Sequence, residues 1–196
     1  SHILPCMDDG VSSLEETLSI LSYAELLGIR EWWCTSHVME DNPSYTDDLK
    51  AVFAEVCEAY KGPIKLRLAA EYMLDTDDTV LVEASVISAP YDLDGMLQDI
   101  MSAGYRPLLA HPERYRYLTL QDYGKLHDMG VHFQLNLGSV TGYYGKDARK
   151  KAEYLLDKGW YNAAGSDCHR LRSLQHQVGR KTVTGKVIRQ VKELIN

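Results

Sequence analysis

Residues 104–115 read GYRPLLAHPERY: a glycine, a short apolar run, and a histidine that leads into Pro-Glu-Arg-Tyr. The run RPLLAH is predicted as a strand. Upstream of it Leu93, Met96, Leu97, Ile100 and Met101 recur at helical spacing, and Gly104 closes that helix. Downstream, a helix over residues near 120–129 ends at Gly130 and is followed by the strand VHFQLN. A helix around 146–158 then stops at Gly159 before the short strand YNAAGSD. The same alternation runs toward the N-terminus through TVLVEAS, IKLRLAAE and IREWWCTS. Thr46 caps a helix with Leu49, Val52, Phe53, Val56 and Tyr60 on one face, and Ser12 and Ser13, three residues before Glu15 and Glu16, start a helix that stops at Gly28.

Strands alternating with helices imply parallel pairing with right-handed crossovers. With the opening segment SHILPCMDDG included, the strands number about seven, which predicts an α/β fold of the TIM-like, distorted (β/α)7 barrel type. One join is too short: a parallel crossover needs a dozen or more residues, and far fewer separate Glu71 from Thr79. Either these two strands are antiparallel or a loop near Asp75–Asp78 is missing from the chain, and the second is the expectation.

A chain of 196 residues fits one domain, spanning 1–196. A net charge of −7 gives no basic excess to meet nucleic-acid phosphates, and clusters such as Arg149 to Lys151 are local. No apolar run approaches the roughly 18 residues of a membrane span, and no signal-like start is visible, so a soluble cytoplasmic protein is expected. Cys6, Cys34, Cys57 and Cys168 form no CxxC pair and read as reduced thiols, mostly packed.

Active sites of α/β barrels lie at the C-terminal ends of the strands. The strand ends here are His2, His37, Glu71, Glu83, His111, Asn136 and Asp167; Asp9 follows the first strand and His169 lies two residues beyond Asp167. Singly each has a plain structural explanation, but four histidines and four carboxylates on one rim form a metal-binding pattern. His127 in a helix, His132 opening a strand and His176 past the last cluster are assigned structural places. Imidazole and carboxylate without thiolate suit Mn, Fe or Zn, and eight donors exceed one ion's needs. Glu71 is placed to bridge two ions, and Cys168, pointing the other way along the chain, is not counted as a ligand. Arg114 either holds two phosphate oxygens in its rigid fork or makes a surface ion pair with Glu113. Arg170 and Arg172 flank His169 similarly, and the substrate implied is a phosphate ester.

SHILPCMDDG, CTSH, AAEY, VLVE, AHPERY and GSDCH, in that order, resemble the polymerase-and-histidinol-phosphatase (PHP) superfamily. More narrowly they resemble its bacterial manganese-dependent protein-tyrosine phosphatases of capsular and exopolysaccharide operons, over nearly the whole chain. The resemblance implies three divalent ions, with Mn foremost. It assigns His2, Glu71 and Asp167 to the first ion, Glu71, Glu83 and His111 to the second, and Asp9, His37 and His169 to the third. It implies catalytic roles for Arg114, Glu71 and Asp167, with Arg114 binding phosphate and a metal-bridging hydroxide attacking phosphorus. The implied substrate is a phosphotyrosine protein, a bacterial tyrosine kinase of polysaccharide synthesis and export. The family opens this region with His-x-His, and the chain starts at the Ser between, so a histidine ahead of Ser1 is implied. A cysteine mechanism would need Cys-x5-Arg, which none of the four cysteines has. The competing readings are a phosphatase of a small ester such as histidinol phosphate, and a degenerate metal-binding barrel without activity.

Overall fold

The computed structural model describes residues 1–37, 46–71, 79–178, 186–187 and 189–191. The loop expected near Asp75–Asp78 lies outside them. In chain order the elements are α1 (Leu14–Leu26), β1 (Glu31–His37), α2 (Thr46–Ala59), β2 (Lys65–Glu71), β3 (Thr79–Val82), α3 (Leu93–Ser102), β4 (Arg106–Ala110), a 3-10 turn (Pro112–Arg114), α4 (Leu120–Asp128), β5 (His132–Asn136), α5 (Leu137–Val140), α6 (Lys146–Lys158), β6 (Tyr161–Gly165) and α7 (Leu171–Val178). Every described strand pair is parallel, so the α/β class with parallel sheets forms as predicted. The strands lie in a pair, β1-β2, and a sheet of order β3-β4-β5-β6. Because β2 and β3 pair in different sheets, the short join between them is not a crossover between paired neighbours.

The chain divides into two compact units, Ser1–Met73 with Asp167–Gln175, and Leu74–Ser166 with His176–Asn196. In the first, Ser13 accepts the Glu16 N–H at 3.2 Å and caps α1 as its sequence predicts. The buried faces of α1, α2 and β1 pack Ile20, Leu21, Ala24, Trp32, Cys34, Leu49 and Val56 around Ile3 and Leu4 of the opening segment. That segment is not a strand. It bridges its neighbours, with the Thr35 N–H donating to the Ser1 carbonyl and the His2 N–H to the Cys168 carbonyl, both at 2.9 Å, and the Ser1 amine donating to the Trp33 carbonyl at 3.4 Å. Pro5 has no N–H to extend the pairing, and Cys6 at φ 59° turns the chain away.

The second unit packs Leu109, Tyr123, Leu126, Phe133, Leu135 and Leu155 into one buried cluster. α6 ends at Gly159, whose left-handed φ of 67° is the conformation that stops a helix and favours glycine. β3 is shorter than the predicted TVLVEAS: the Ala84 N–H leaves the ladder and donates to the Tyr115 hydroxyl at 2.9 Å.

His132 opens β5 away from the strand ends that carry the candidate ligands, as its structural place requires. Burial, with Arg106 and His127 nearby, pushes its imidazole below the ordinary 6.5. The folded chain therefore binds fewer protons than the unfolded one once the pH falls past 6.5, and stability is lost there. Urea midpoints between pH 7 and 5 are expected to fall less steeply in His132→Gln than in the parent protein; parallel slopes would exclude a contribution from His132.

Candidate metal centre

In the first unit the site begins with the turn at residues 8–10. A Cβ on Gly10 would lie 2.0 Å from the His2 carbonyl oxygen, so only glycine lets this turn close over His2. The Gly10 N–H donates to Asp8 Oδ1 at 2.9 Å, and the His37 N–H donates to Asp8 Oδ2 at 3.0 Å. The same Oδ2 lies 2.7 Å from His2 Nδ1, with both side chains buried. Burial pushes the Asp8 carboxyl up, but the bond and charge of His2 and the two backbone N–H groups outweigh it and hold the carboxyl at about 2. An ionised Asp8 fixes the proton of His2 on Nδ1 and aims Nε2 into the site, the arrangement that carboxylates impose on metal-binding imidazoles.

Four side chains offer donor atoms within 4.8 Å of one another: His2, Asp9, His37 and His169. His2 Nε2 is 3.5 Å from Asp167 Oδ1, His37 Nε2 is 3.7 Å from Asp9 Oδ1, and His169 Nε2 is 3.3 Å from that same oxygen. The His2 ring stacks on His169 at 4.0 Å between centroids and lies 4.3 Å from His37. Burial and the neighbouring His2 push His169 below its ordinary value, which keeps a neutral ring with a lone pair to donate. Three imidazoles and a carboxylate without thiolate match a divalent transition metal, and bonds of roughly 2.0–2.2 Å would span this group after a small contraction. The residues present fit an ion.

Glu71 ends β2 in register with His37, and its side chain lies outside the described part. Arg170 and Arg172 are exposed, and Arg170 Nη1 donates to the His169 carbonyl at 3.0 Å. Cys168 is buried between Asp167 and His169, and burial drives its thiol up to about 12, so it stays a packed group rather than a ligand.

In the second unit Glu83 Oε1 lies 3.2 Å from His111 Nε2. His111 has φ 34° and Asp167 has φ 49°, left-handed values that cost non-glycine residues of order 1–3 kcal/mol and turn a side chain out at the end of its strand. One tyrosine serves both Glu83 and His111: the Tyr115 hydroxyl takes the Ala84 N–H, and its ring meets His111 edge to face at 5.9 Å. Asn136, the strand end of non-ligand type, caps α5 by accepting the Gly138 N–H at 2.8 Å.

Glu113 does not match the surface ion pair that was one of the two sequence expectations for Arg114. Glu113 is 0 % exposed, so a surface ion pair is not its role. Its Oε1 accepts from the Asn136 N–H at 3.0 Å and the Ser139 hydroxyl at 2.7 Å, and its Oε2 accepts from the Tyr161 hydroxyl at 2.9 Å. The Arg114 guanidinium lies over the Tyr144 ring, 4.2 Å from its centre. The sequence alone does not single out Asp8 or Tyr144, and it offers Glu113 only as a surface partner of Arg114. Only Asp8 carried a signal, as the first of two carboxylates before a glycine.

No helix among the described residues is long and apolar enough to cross a membrane. Residues 63–193 match the family described as capsular polysaccharide synthesis, CpsB/CapC. Tyrosine-protein phosphatase YwqE of Bacillus subtilis is 26% identical over 196 residues, covering 88% of this chain and 76% of the relative. Tyrosine-protein phosphatase CpsB of Streptococcus pneumoniae is 28% identical over 200 residues, covering 88% and 82%. A solved chain from the work on YwqE and CpsB, described as unique metal-dependent tyrosine phosphatases, superposes with a TM-score of 0.74 at 19% identity, covering 98% of this chain and 90% of its own.

Proposed function

The chain belongs to the CpsB/CapC family of capsular polysaccharide synthesis, and from that membership we propose that it is a metal-dependent phosphatase of phosphotyrosine proteins. The observation that carries the proposal is the convergence of His2, Asp9, His37 and His169, with the buried Asp8 orienting His2. In this reading the parallel strands belong to a (β/α)7 barrel of the PHP type, the ions are three and chiefly Mn, and Glu71 and Asp167 contribute to holding them. The protein works in the cytoplasm, and its substrate is a tyrosine kinase of polysaccharide synthesis.

Bound divalent ions would lower the pKa of a coordinated water toward neutrality and offset phosphoryl charge. The chain's own residues do the rest. Asp8 holds His2 in one tautomer, burial and His2 bias His169 toward its neutral form, and Glu83 and His111 offer a second carboxylate–imidazole pair. Arg114 presents planar N–H donors to the phosphoryl oxygens and stabilises the charge they carry in the transition state. A phenolate leaves readily, so the reaction asks little of a general acid.

Hydrolysis of a tyrosine phosphopeptide is expected to disappear on exhaustive chelation and to return with Mn. It should survive iodoacetamide, because no thiol takes part in the proposed chemistry: Cys34 and Cys168 are buried with thiols raised to about 12, and alkylation falls on the exposed Cys6 and Cys57. Activity persisting in protein shown to be metal-free would refute the proposal. A kcat/KM for histidinol phosphate above that for the peptide would transfer it to a small ester, and metal-loaded protein without turnover would mark a binding module.

A further inference from the structure

A phosphate-binding role for Arg114, as proposed above, depends on the direction in which its guanidinium faces, and an aromatic ring lies against that group. The ring beneath it belongs to Tyr144, half-buried in the connection between α5 and α6. Tyr143 supports that ring edge to face, with centroids 4.9 Å apart and planes at 88°. Asn136 Nδ2 donates to the Tyr144 hydroxyl at 3.5 Å. A Cβ on Gly138 would lie 2.8 Å from Tyr144 Cε2, so the glycine makes the room the ring occupies. Asn136 is in turn fixed at both ends, since its N–H donates to Glu113 Oε1 and its Oδ1 accepts the Gly138 N–H. Glu113 immediately precedes Arg114. The backbone that launches the arginine and the ring that receives it are thus tied to the same β5–α5 corner.

We propose that Tyr144 is a positioning residue of the phosphate-binding arginine. Stacking uses the face of a guanidinium, whereas hydrogen bonds to phosphate oxygens leave in its plane, so the two uses do not compete. The ring restricts the guanidinium to orientations in which its N–H edge meets an oxyanion, and the ordering cost is met before substrate arrives. Tyr144 therefore acts on the binding of the phosphoryl group, and the aromatic ring rather than the hydroxyl carries most of the effect.

The test uses the full-length protein with Tyr144→Phe and Tyr144→Leu, loaded with diamagnetic Zn for the first of two readouts and with Mn for the second. In the first, inorganic phosphate is titrated while the Arg114 guanidinium Nε–H signal, assigned by its loss in Arg114→Lys, is followed by NMR. In Tyr144→Leu that signal is expected to lose its ring-current shift and the phosphate Kd to rise about tenfold; in Tyr144→Phe both stay within about twofold of the parent. In the second, turnover of a phosphotyrosine peptide should show KM raised about tenfold in Tyr144→Leu with kcat changed less than about threefold. An unchanged phosphate Kd in Tyr144→Leu overturns the proposal, and so does a loss in Tyr144→Phe as large as in Tyr144→Leu. Parent protein that binds phosphate through Arg114 without hydrolysing the peptide would refute the phosphatase assignment and leave the role of Tyr144 standing.

Discussion

Asp8→Ala is expected to weaken Mn binding at the His2, Asp9, His37 and His169 group by roughly 10–100-fold, the usual cost of removing the partner that orients a liganding imidazole. Three losses follow from one substitution. His2 Nδ1 loses the acceptor that fixes its proton, so both tautomers and other ring orientations become accessible. The Gly10 N–H loses its acceptor, which loosens the turn carrying Asp9. The His37 N–H loses its bond as well, at the strand end that presents the third imidazole. Asp8 thus fixes elements bearing three of the four candidate donors without needing to touch an ion. Asp9 differs: its side chain is 72 % exposed and lies within reach of both His37 and His169. Asp9→Ala removes one donor and leaves the imidazoles in place. Calorimetric titration of Mn into both variants, each checked for native secondary structure, separates orientation from ligation. Asp8→Ala with the parent's affinity would show that the imidazoles need no such support.

The contrast between Asp8 and Asp9 also marks the limit of what the sequence discloses. Local signals were legible wherever the physics is local: the Ser13 cap, the Gly159 stop, the apolar stripe of α3 and the strand at RPLLAH all formed near their predicted places. The ends of the parallel strands were legible too, because polar residues gather where a strand leaves the core. Long-range choices were not. Two adjacent aspartates look alike in a sequence, and only packing decides that one is buried against His2 while the other faces outward. The left-handed turns at His111 and Asp167 have no glycine to announce them, and local preference alone would avoid that strain. The opening segment has strand-like Ile3 and Leu4, yet Pro5 and the turn at Cys6 confine its bridging bonds to Ser1 and His2. Glu113 looked like the partner of its charged neighbour because adjacency in sequence is visible and burial is not.

Glu113→Ala is expected to cost about 3–5 kcal/mol of stability, because it removes the acceptor of a fully buried hydrogen-bond network rather than a surface charge. The Asn136 N–H, the Ser139 hydroxyl and the Tyr161 hydroxyl would all lose their partner in a space the shorter side chain cannot fill. For a chain of this length that corresponds to a fall in Tm on the order of 10 °C. Glu113→Gln should be far milder. Its amide oxygen can take the place of Oε1 and accept from Asn136 and Ser139, while its NH2 faces the Tyr161 hydroxyl, which can reverse and accept. The charge itself contributes little to this account: burial, the largest influence, raises the Glu113 carboxyl despite the donors around it, so a neutral amide meets less of a desolvation cost than the carboxylate did. Urea denaturation of the two variants against the parent decides between the readings. A Gln variant as unstable as the Ala variant would mean that the ionised carboxylate is required, and an Ala variant as stable as the parent would mean that water satisfies the three donors. With the network intact, the turn from His111 to Arg114 is held by the core beneath it, which is how a strained strand end can present both a candidate metal ligand and the arginine proposed to bind phosphate.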